Sequence, residues 1–130
     1  MVKCGDKLLL CKRNNLGSFP GMWSIPGGKL EEGETTQEGA KREFFEETAV
    51  DIDDKELTFI GLIPRHTRDG NKVKGIMYVY LLKVDKEIEP DFENAIDGEE
   101  HTEWGYFTID NIHSETTGEY MYKLAEIILL

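Results

Sequence analysis

The order of predicted elements, three strands, a helix, three strands and a second helix, points to a mixed α/β or α+β fold. Three observations carry that prediction. Residues Thr36–Thr48 hold a helical pattern opened by a capping box, in which Thr35 and Glu38 can each satisfy the other's backbone N–H. Ile76–Val84 is a nearly continuous apolar run rich in Tyr and β-branched residues, as expected of a central strand. In the C-terminal stretch, Met121, Leu124, Ala125 and Ile128 recur at i, i+3, i+4 and i+7, which gives a helix one apolar face.

The remaining elements follow in chain order. Val2–Cys4 and Leu8–Arg13 are short strands around a Gly5-Asp6 turn. Phe19–Gly28 contains two prolines and three glycines, which rule out a helix, while Trp23 and Ile25 alternate with smaller residues as in a short strand. Leu57–Ile63 is the next strand. Pro64–Lys72 follows as a basic, turn-rich loop, with Arg65, His66 and Arg68 among its charges. Lys86–Thr102 is acidic and irregular, long for a structureless connection, and therefore a place to look for function. Trp104–Thr108 is the last strand, and the final helix is predicted over Thr117–Leu129 with a second capping box at Thr116 and Glu119.

Composition bounds the reading. A chain of 130 residues, 39% hydrophobic and 32% charged, fits one domain with its own core. No run approaches the 18 apolar residues of a membrane span, and the first residues lack the apolar stretch of a signal peptide, so the expected location is cytoplasmic with no membrane partner. The only cysteines, Cys4 and Cys11, lack zinc-type neighbours and read as reduced structural residues. The net charge of −11 argues against non-specific nucleic-acid binding, though a phosphate substrate bridged by metal ions stays compatible with it.

The chemistry concentrates in Gly27–Val50. At about 100° per residue, Glu43, Glu46 and Glu47 share an arc of about 100° on the helix, with Ala40 and Phe44 beside it. Like charges so placed repel by a few tenths of a kcal/mol per contact. A hard divalent cation such as Mg²⁺ or Mn²⁺ offsets that repulsion; an ordinary solvated acidic face is the competing reading. Glu34 precedes the helix and lies off the arc. The Gly-Gly-Lys at 27–29 is not a P-loop, since no glycine stands five residues ahead and Leu30 replaces the required Ser or Thr.

Gly28, five residues, Glu34, seven residues, then Arg42-Glu43-Phe44-Phe45-Glu46-Glu47-Thr48-Ala49-Val50 resembles the signature of the Nudix hydrolases. Phe44 stands where the family has an aliphatic residue, and Ala49 where it has a second glycine. The Ala makes a positive φ at the helix exit less expected. Every charged signature position is filled. The resemblance implies an α/β/α sandwich with a mixed central sheet, and a first strand longer than Val2–Cys4. It implies hydrolysis of a pyrophosphate bond in a nucleoside diphosphate linked to another group, with an ADP-ribose-like compound or a nucleoside triphosphate as the small-molecule substrate. Pro64 lies near a proline frequent in ADP-ribose-type members.

In the same resemblance, Mg²⁺, with Mn²⁺ as a substitute, is held by Glu43, Glu46, Glu47 and the Gly27 carbonyl. Glu43 or Glu100 acts as the general base, Glu99 being the next choice after Glu100. Arg42 orients carboxylates and Glu34 pairs with Arg42, both as supports together with Gly28. Arg13 reaches substrate phosphate, against the alternative of an ordinary surface arginine. Arg65, His66 and Arg68 form a substrate loop, against the alternative of a basic hairpin tip. A homodimer is compatible with this picture. Two other classes remain open: a non-catalytic nucleotide-binding module on the same fold, and an acidic calcium-binding protein, although no EF-hand spacing is present.

Overall fold

The computed structural model describes residues 1–17, 19–67 and 69–130. The expectation for Arg68 therefore lies outside the described residues. Its strands are β1 (Val2–Cys4), β2 (Lys7–Arg13), β3 (Trp23–Ser24), β4 (Thr58–His66), β5 (Val73–Val84) and β6 (His101–Phe107). Its helices are α1 (Thr36–Thr48), α2 (Ser114–Thr117) and α3 (Glu119–Ile128), with short 3₁₀ turns at Asp54–Glu56, Gly98–Glu100 and Ile109–Asn111.

The strands form one mixed sheet in which β2 pairs with β1 and β3 in succession along one edge and with β6 along the other, and the sheet continues from β1 to β5 and β4. β1 runs parallel to β5, and the remaining pairings are antiparallel. The centre of the sheet is covered on both faces, as β2 shows. Leu9 and Cys11 pack with Val2, Leu82 and the α1 residue Phe44, whereas Leu8 and Leu10 pack with Ile112 and the α3 residue Ala125. A strand buried on both sides reads as an unbroken apolar run, as Leu8-Leu9-Leu10-Cys11 does. Burial pushes the Cys11 thiol up to about 12, so it is an inert core residue. Both cysteines are free. No described helix is long and apolar enough to cross a membrane.

Three expectations need correction. β4 extends through Pro64, Arg65 and His66, which pair with Ile76, Gly75 and Val73 and so belong to a strand rather than a loop. Pro64 is tolerated because β4 is an edge strand, where a missing donor can face solvent. The C-terminal helix is interrupted at Gly118, whose φ of +89° separates α2 from α3. No capping box forms there: the Thr116 hydroxyl donates to the His113 carbonyl instead. β6 also starts three residues earlier than expected, at His101.

At the exit of α1, Ala49 adopts the left-handed conformation (φ +63°) and its N–H donates to the Phe45 carbonyl. The chain reaches this geometry without the family's glycine because the helix end is tied down elsewhere. Thr48 Oγ1 accepts from the Val50 N–H, and the Glu46 and Thr48 carbonyls accept from the N–H groups of Asp97 and Asp91. An L-residue in this region costs about 1–2 kcal/mol. Ala49→Gly is accordingly expected to raise stability by about 1 kcal/mol in urea denaturation, after the added chain entropy of glycine is deducted. A destabilised variant would show that the exit carries no strain.

Candidate active site

The capping box starts α1 where the sequence places it: the Thr35 side chain accepts from the Glu38 N–H, and Glu38 accepts from the Thr35 N–H. The helix then presents Arg42, Glu43, Glu46 and Glu47 to the glycine loop. Arg42 is the centre of this region. Its Nε and Nη2 donate to the two oxygens of Glu34 at 2.7 and 3.0 Å, a bidentate pair. Nη1 donates to Glu43 Oε1 and Glu46 Oε2, each at 2.9 Å. Nη2 also donates to the Lys29 carbonyl, which ties the loop to the helix. The Arg42 hydrogen bond holds the Glu34 carboxyl below its ordinary range. One guanidinium thus sets the direction of two carboxylates on the arc.

Gly28 is required by contact rather than by turn geometry. A Cβ there would lie 2.3 Å from the Glu43 carboxyl, so any larger residue displaces that side chain. Gly39 plays a related part, since a Cβ would meet Leu30 Cδ1 at 2.7 Å and Glu34 Oε1 at 3.0 Å.

Glu47 turns inward and is 2% exposed. Its Oε2 accepts from the Gly27 N–H at 2.6 Å. The contact seen at Gly27 is thus made by its N–H, whereas the expectation concerned its carbonyl. The Glu100 carboxyl lies close to that of Glu47. Burial first, then Glu100, pushes the Glu47 carboxyl up to about 10. Glu43 is also raised, mainly by burial and against the pull of Arg42. In both groups removal from water outweighs the crowding of like charges.

Glu100 comes from far along the chain. The acidic 91–100 segment is fastened to the end of α1 through Asp91 N–H to Thr48 O and Asp97 N–H to Glu46 O, both 2.8 Å. Its far end is held by Asn14, whose N–H donates to the Glu100 carbonyl and whose Nδ2 donates to the Glu99 carbonyl. Gly98 closes the segment on itself, because a Cβ there would sit 1.8 Å from the Phe92 carbonyl oxygen. Glu100 therefore faces Glu47, while Glu99 engages the Asn14 loop through its backbone.

His101 was missed by sequence reasoning. It is buried, stacks on Phe92 with ring centroids 5.6 Å apart, and its Nδ1 has no hydrogen-bond partner. Burial and the nearby charge of Arg13 lower its pKa. Only its place beside Glu100 hinted at it. Arg13 ends β2 opposite His101, which puts it at the Glu100 side of the site. Arg65 is exposed on β4. His66 stacks on Tyr120 at the start of α3, with centroids 5.9 Å apart, and so sits on the other face of the sheet from α1.

Among the described residues, no three His, Cys, Asp or Glu side chains are grouped so as to hold a metal ion. Arg42 spans Glu43 and Glu46, and Glu47 is turned to Gly27 and Glu100. The donor chemistry nevertheless suits a hard divalent cation. Glu47 and Glu100 are neighbouring carboxyls, and such a cation takes carboxylate oxygens as its ligands.

A model of the NUDIX domain matches residues 1–126. The chain belongs to the Nudix family. It is 39% identical over 75 residues to the nucleoside triphosphatase NudI of Enterobacter sp. (strain 638), an alignment covering 57% of this chain and 50% of that protein. The chain thus spans about half the length of the curated relatives it matches. Among solved structures, a MutT NUDIX hydrolase from Burkholderia pseudomallei superposes with a TM-score of 0.73 at 24% identity, over 96% of this chain and 95% of that one. A bifunctional NMN adenylyltransferase/ADP ribose pyrophosphatase from Francisella tularensis, complexed with AMP and a Mn ion, superposes with a TM-score of 0.69 at 26% identity, over 99% of this chain and 39% of that one. These likenesses establish the Nudix fold, with its mixed sheet between helices, as the fold of this chain.

Proposed function

We propose that this Nudix chain is a divalent-metal-dependent pyrophosphohydrolase acting on nucleoside triphosphates, releasing a nucleoside monophosphate and pyrophosphate. The observation that carries the reading is the pair of carboxylates Glu43 and Glu46 joined through Arg42, with Glu47 held by the Gly27 N–H on the same helix and Glu100 brought beside Glu47. The triphosphate is favoured over an ADP-ribose-like substrate by the 39% identity to a nucleoside triphosphatase. The ADP ribose pyrophosphatase likeness, at 26% identity, keeps the second class in the test.

Glu46, Glu47 and Glu43, with the Gly27 carbonyl, would hold Mg²⁺, with Mn²⁺ as a substitute. The ion would neutralise phosphoryl oxygens and acidify water. Arg42 keeps Glu43 and Glu46 aligned. Water attacks phosphorus, its proton passes to the carboxylate of Glu43 or Glu100, and the P–O bond to the leaving pyrophosphate breaks. In this proposal Arg13, opposite His101 at the end of β2, contacts a substrate phosphate and Arg65 and Arg68 are further contacts, whereas the stacking of His66 on Tyr120 keeps that ring away from the carboxylates.

The test is a panel of the common nucleoside triphosphates, oxidised dGTP, ADP-ribose, NADH and dinucleoside polyphosphates, with Mg²⁺ or Mn²⁺ and products identified. Monophosphate plus pyrophosphate is expected. Release of diphosphate plus orthophosphate would rule out the mechanism. No turnover of any compound would favour a non-catalytic binding module.

Gly98 offers a separate check on Glu100. Gly98→Ala forces a Cβ into the Phe92 backbone, which cannot give way without shifting the segment that delivers Glu100. The variant is expected to lose about tenfold or more in kcat with a smaller change in KM. Combined with Glu100→Gln, it should lose little further, since both changes act through one carboxyl. Fully additive losses would separate Gly98 from Glu100.

A further inference from the structure

The β4–β5 hairpin carries an uncovered apolar face that catalysis does not use. Phe59, Leu62, Ile76 and Tyr78 are about half exposed, at 50%, 54%, 55% and 50%. The register sets Phe59 opposite Tyr80, Leu62 opposite Tyr78 and Pro64 opposite Ile76. Phe59 also contacts both tyrosine rings, with centroids 6.3 and 5.6 Å away. Strand alternation sends Ile63 and Val79 to the opposite face, where they are buried with Met121 of α3. The exposed set is the continuation of the face that α1 covers. It begins where the helix begins, at the hydrogen bond between Thr36 Oγ1 and the Tyr80 hydroxyl. Isolated exposed apolar residues are ordinary, but a joined aromatic and aliphatic patch rimmed by charged residues is a feature of interaction sites.

Charge is distributed unevenly along this face. Lys72 and Lys74 are exposed at the hairpin tip. At the other end, Asp53, Asp54 and Glu56 surround the 3₁₀ turn that leads into β4, and the Asp54 carbonyl accepts from Gln37 in the first turn of α1. Asp69 at the tip and Lys55 within the turn offset part of each charge, which leaves the patch basic on balance at one end, acidic on balance at the other and apolar between.

We propose that this face binds the same face of a second copy of the chain, as a two-fold homodimer whose axis lies between the stacked sheets and perpendicular to the strands. That axis reverses the strand direction and sets the lysine end of each protomer against the acidic end of its partner. The alternative axis, along the strands, opposes lysine to lysine and acid to acid. Stacked sheets about 10 Å apart bring the half-exposed side chains into contact. The Ile76–Tyr80 span of about 14 Å matches a compact interface core with a charged rim. With that rim the pair buries on the order of 1,000 Å², the low end for specific association, so the dimer dissociates in the micromolar range. The net charge of −11 opposes self-association at long range, but at about 0.15 M salt it is screened beyond about 8 Å, while the facing charges of the rim lie within that distance.

Sedimentation equilibrium of the whole chain tests this, from about 1 to about 500 μM protein at that ionic strength. The mass should rise with concentration from 14.9 kDa toward twice that value. Leu62→Glu should weaken association about thirtyfold or more. Lys74→Glu should weaken it about fivefold, and adding Glu56→Lys should restore it, because each exchange re-forms the facing pair twice per dimer. Far-UV circular dichroism and a thermal melt check that each variant is folded, and the charge exchange keeps the test valid should Leu62→Glu unfold. A monomer at every concentration, whatever else binds the face, overturns the proposal. So does a dimer untouched by Leu62→Glu in a folded variant, or a charge exchange that fails to restore association.

Discussion

Glu46→Gln is expected to lower kcat by about a hundredfold or more, with a smaller change in KM. The substitution is nearly isosteric. The Gln carbonyl can still accept from Arg42 Nη1, as Glu46 Oε2 does at 2.9 Å, so the helix and its links to Glu34 and Lys29 should persist. What is lost is one negative charge at the proposed ion site. If binding of substrate rests mainly on cationic contacts outside the helix, removal of that charge acts on the transition state more than on the ground state. Steady-state kinetics at saturating Mg²⁺ makes the check, with circular dichroism to confirm an intact fold. Near-normal turnover would remove Glu46 from the ion site.

The second large effect is on stability, and it centres on Glu47. Its folded pKa is raised to about 10 from 4.5. A carboxyl whose folded pKa is raised favours the folded state while protonated. That stability is fully present below about pH 4.5 and is lost as pH rises through the folded value near 10. Without divalent ions, the chain should therefore weaken progressively from about pH 5 upward, by a few kcal/mol at pH 8.5. His101 acts only on the acid side: its lowered pKa makes stability fall as pH drops below about 6.5. Comparison of pH 7 with pH 8.5 separates the two. Glu47→Gln keeps an acceptor for the Gly27 N–H and a donor toward Glu100, but has no charge to desolvate. In chelator it should melt higher than the wild type at pH 8.5, by a margin smaller at pH 7. Mg²⁺ should stabilise the wild type most at the upper pH, by mass action on the ionised cluster, and the variant much less. Identical responses of the two proteins to Mg²⁺ would show that Glu47 is not part of an ion site.

The sequence by itself determined the elements whose cause is local. The α1 boundaries were legible because Thr35 and Glu38 cap each other within one turn, and the acidic arc because helix geometry alone puts Glu43, Glu46 and Glu47 together. The signature spacing pointed to the Arg42–Glu34 pair, eight residues apart, and β5 announced itself as a nearly continuous apolar run that ends up between β1 and β4.

What only the tertiary structure decided depends on chain segments meeting across long separations. β4 runs through Pro64 because it falls on an edge, a fact about strand order and not about the dipeptide. The left-handed Ala49 exists because the 91–97 segment ties the end of α1 from over forty residues away. Gly28 is needed because the Glu43 carboxyl fills the space of its missing side chain, and Gly98 because the Phe92 carbonyl does. The burial of Glu47, its contact with Glu100 and the orphaned nitrogen of His101 have the same origin. Desolvation depends on every segment that excludes water from a group, so no local pattern encodes it, and that is why the site's charges could be located from sequence while their protonation could not.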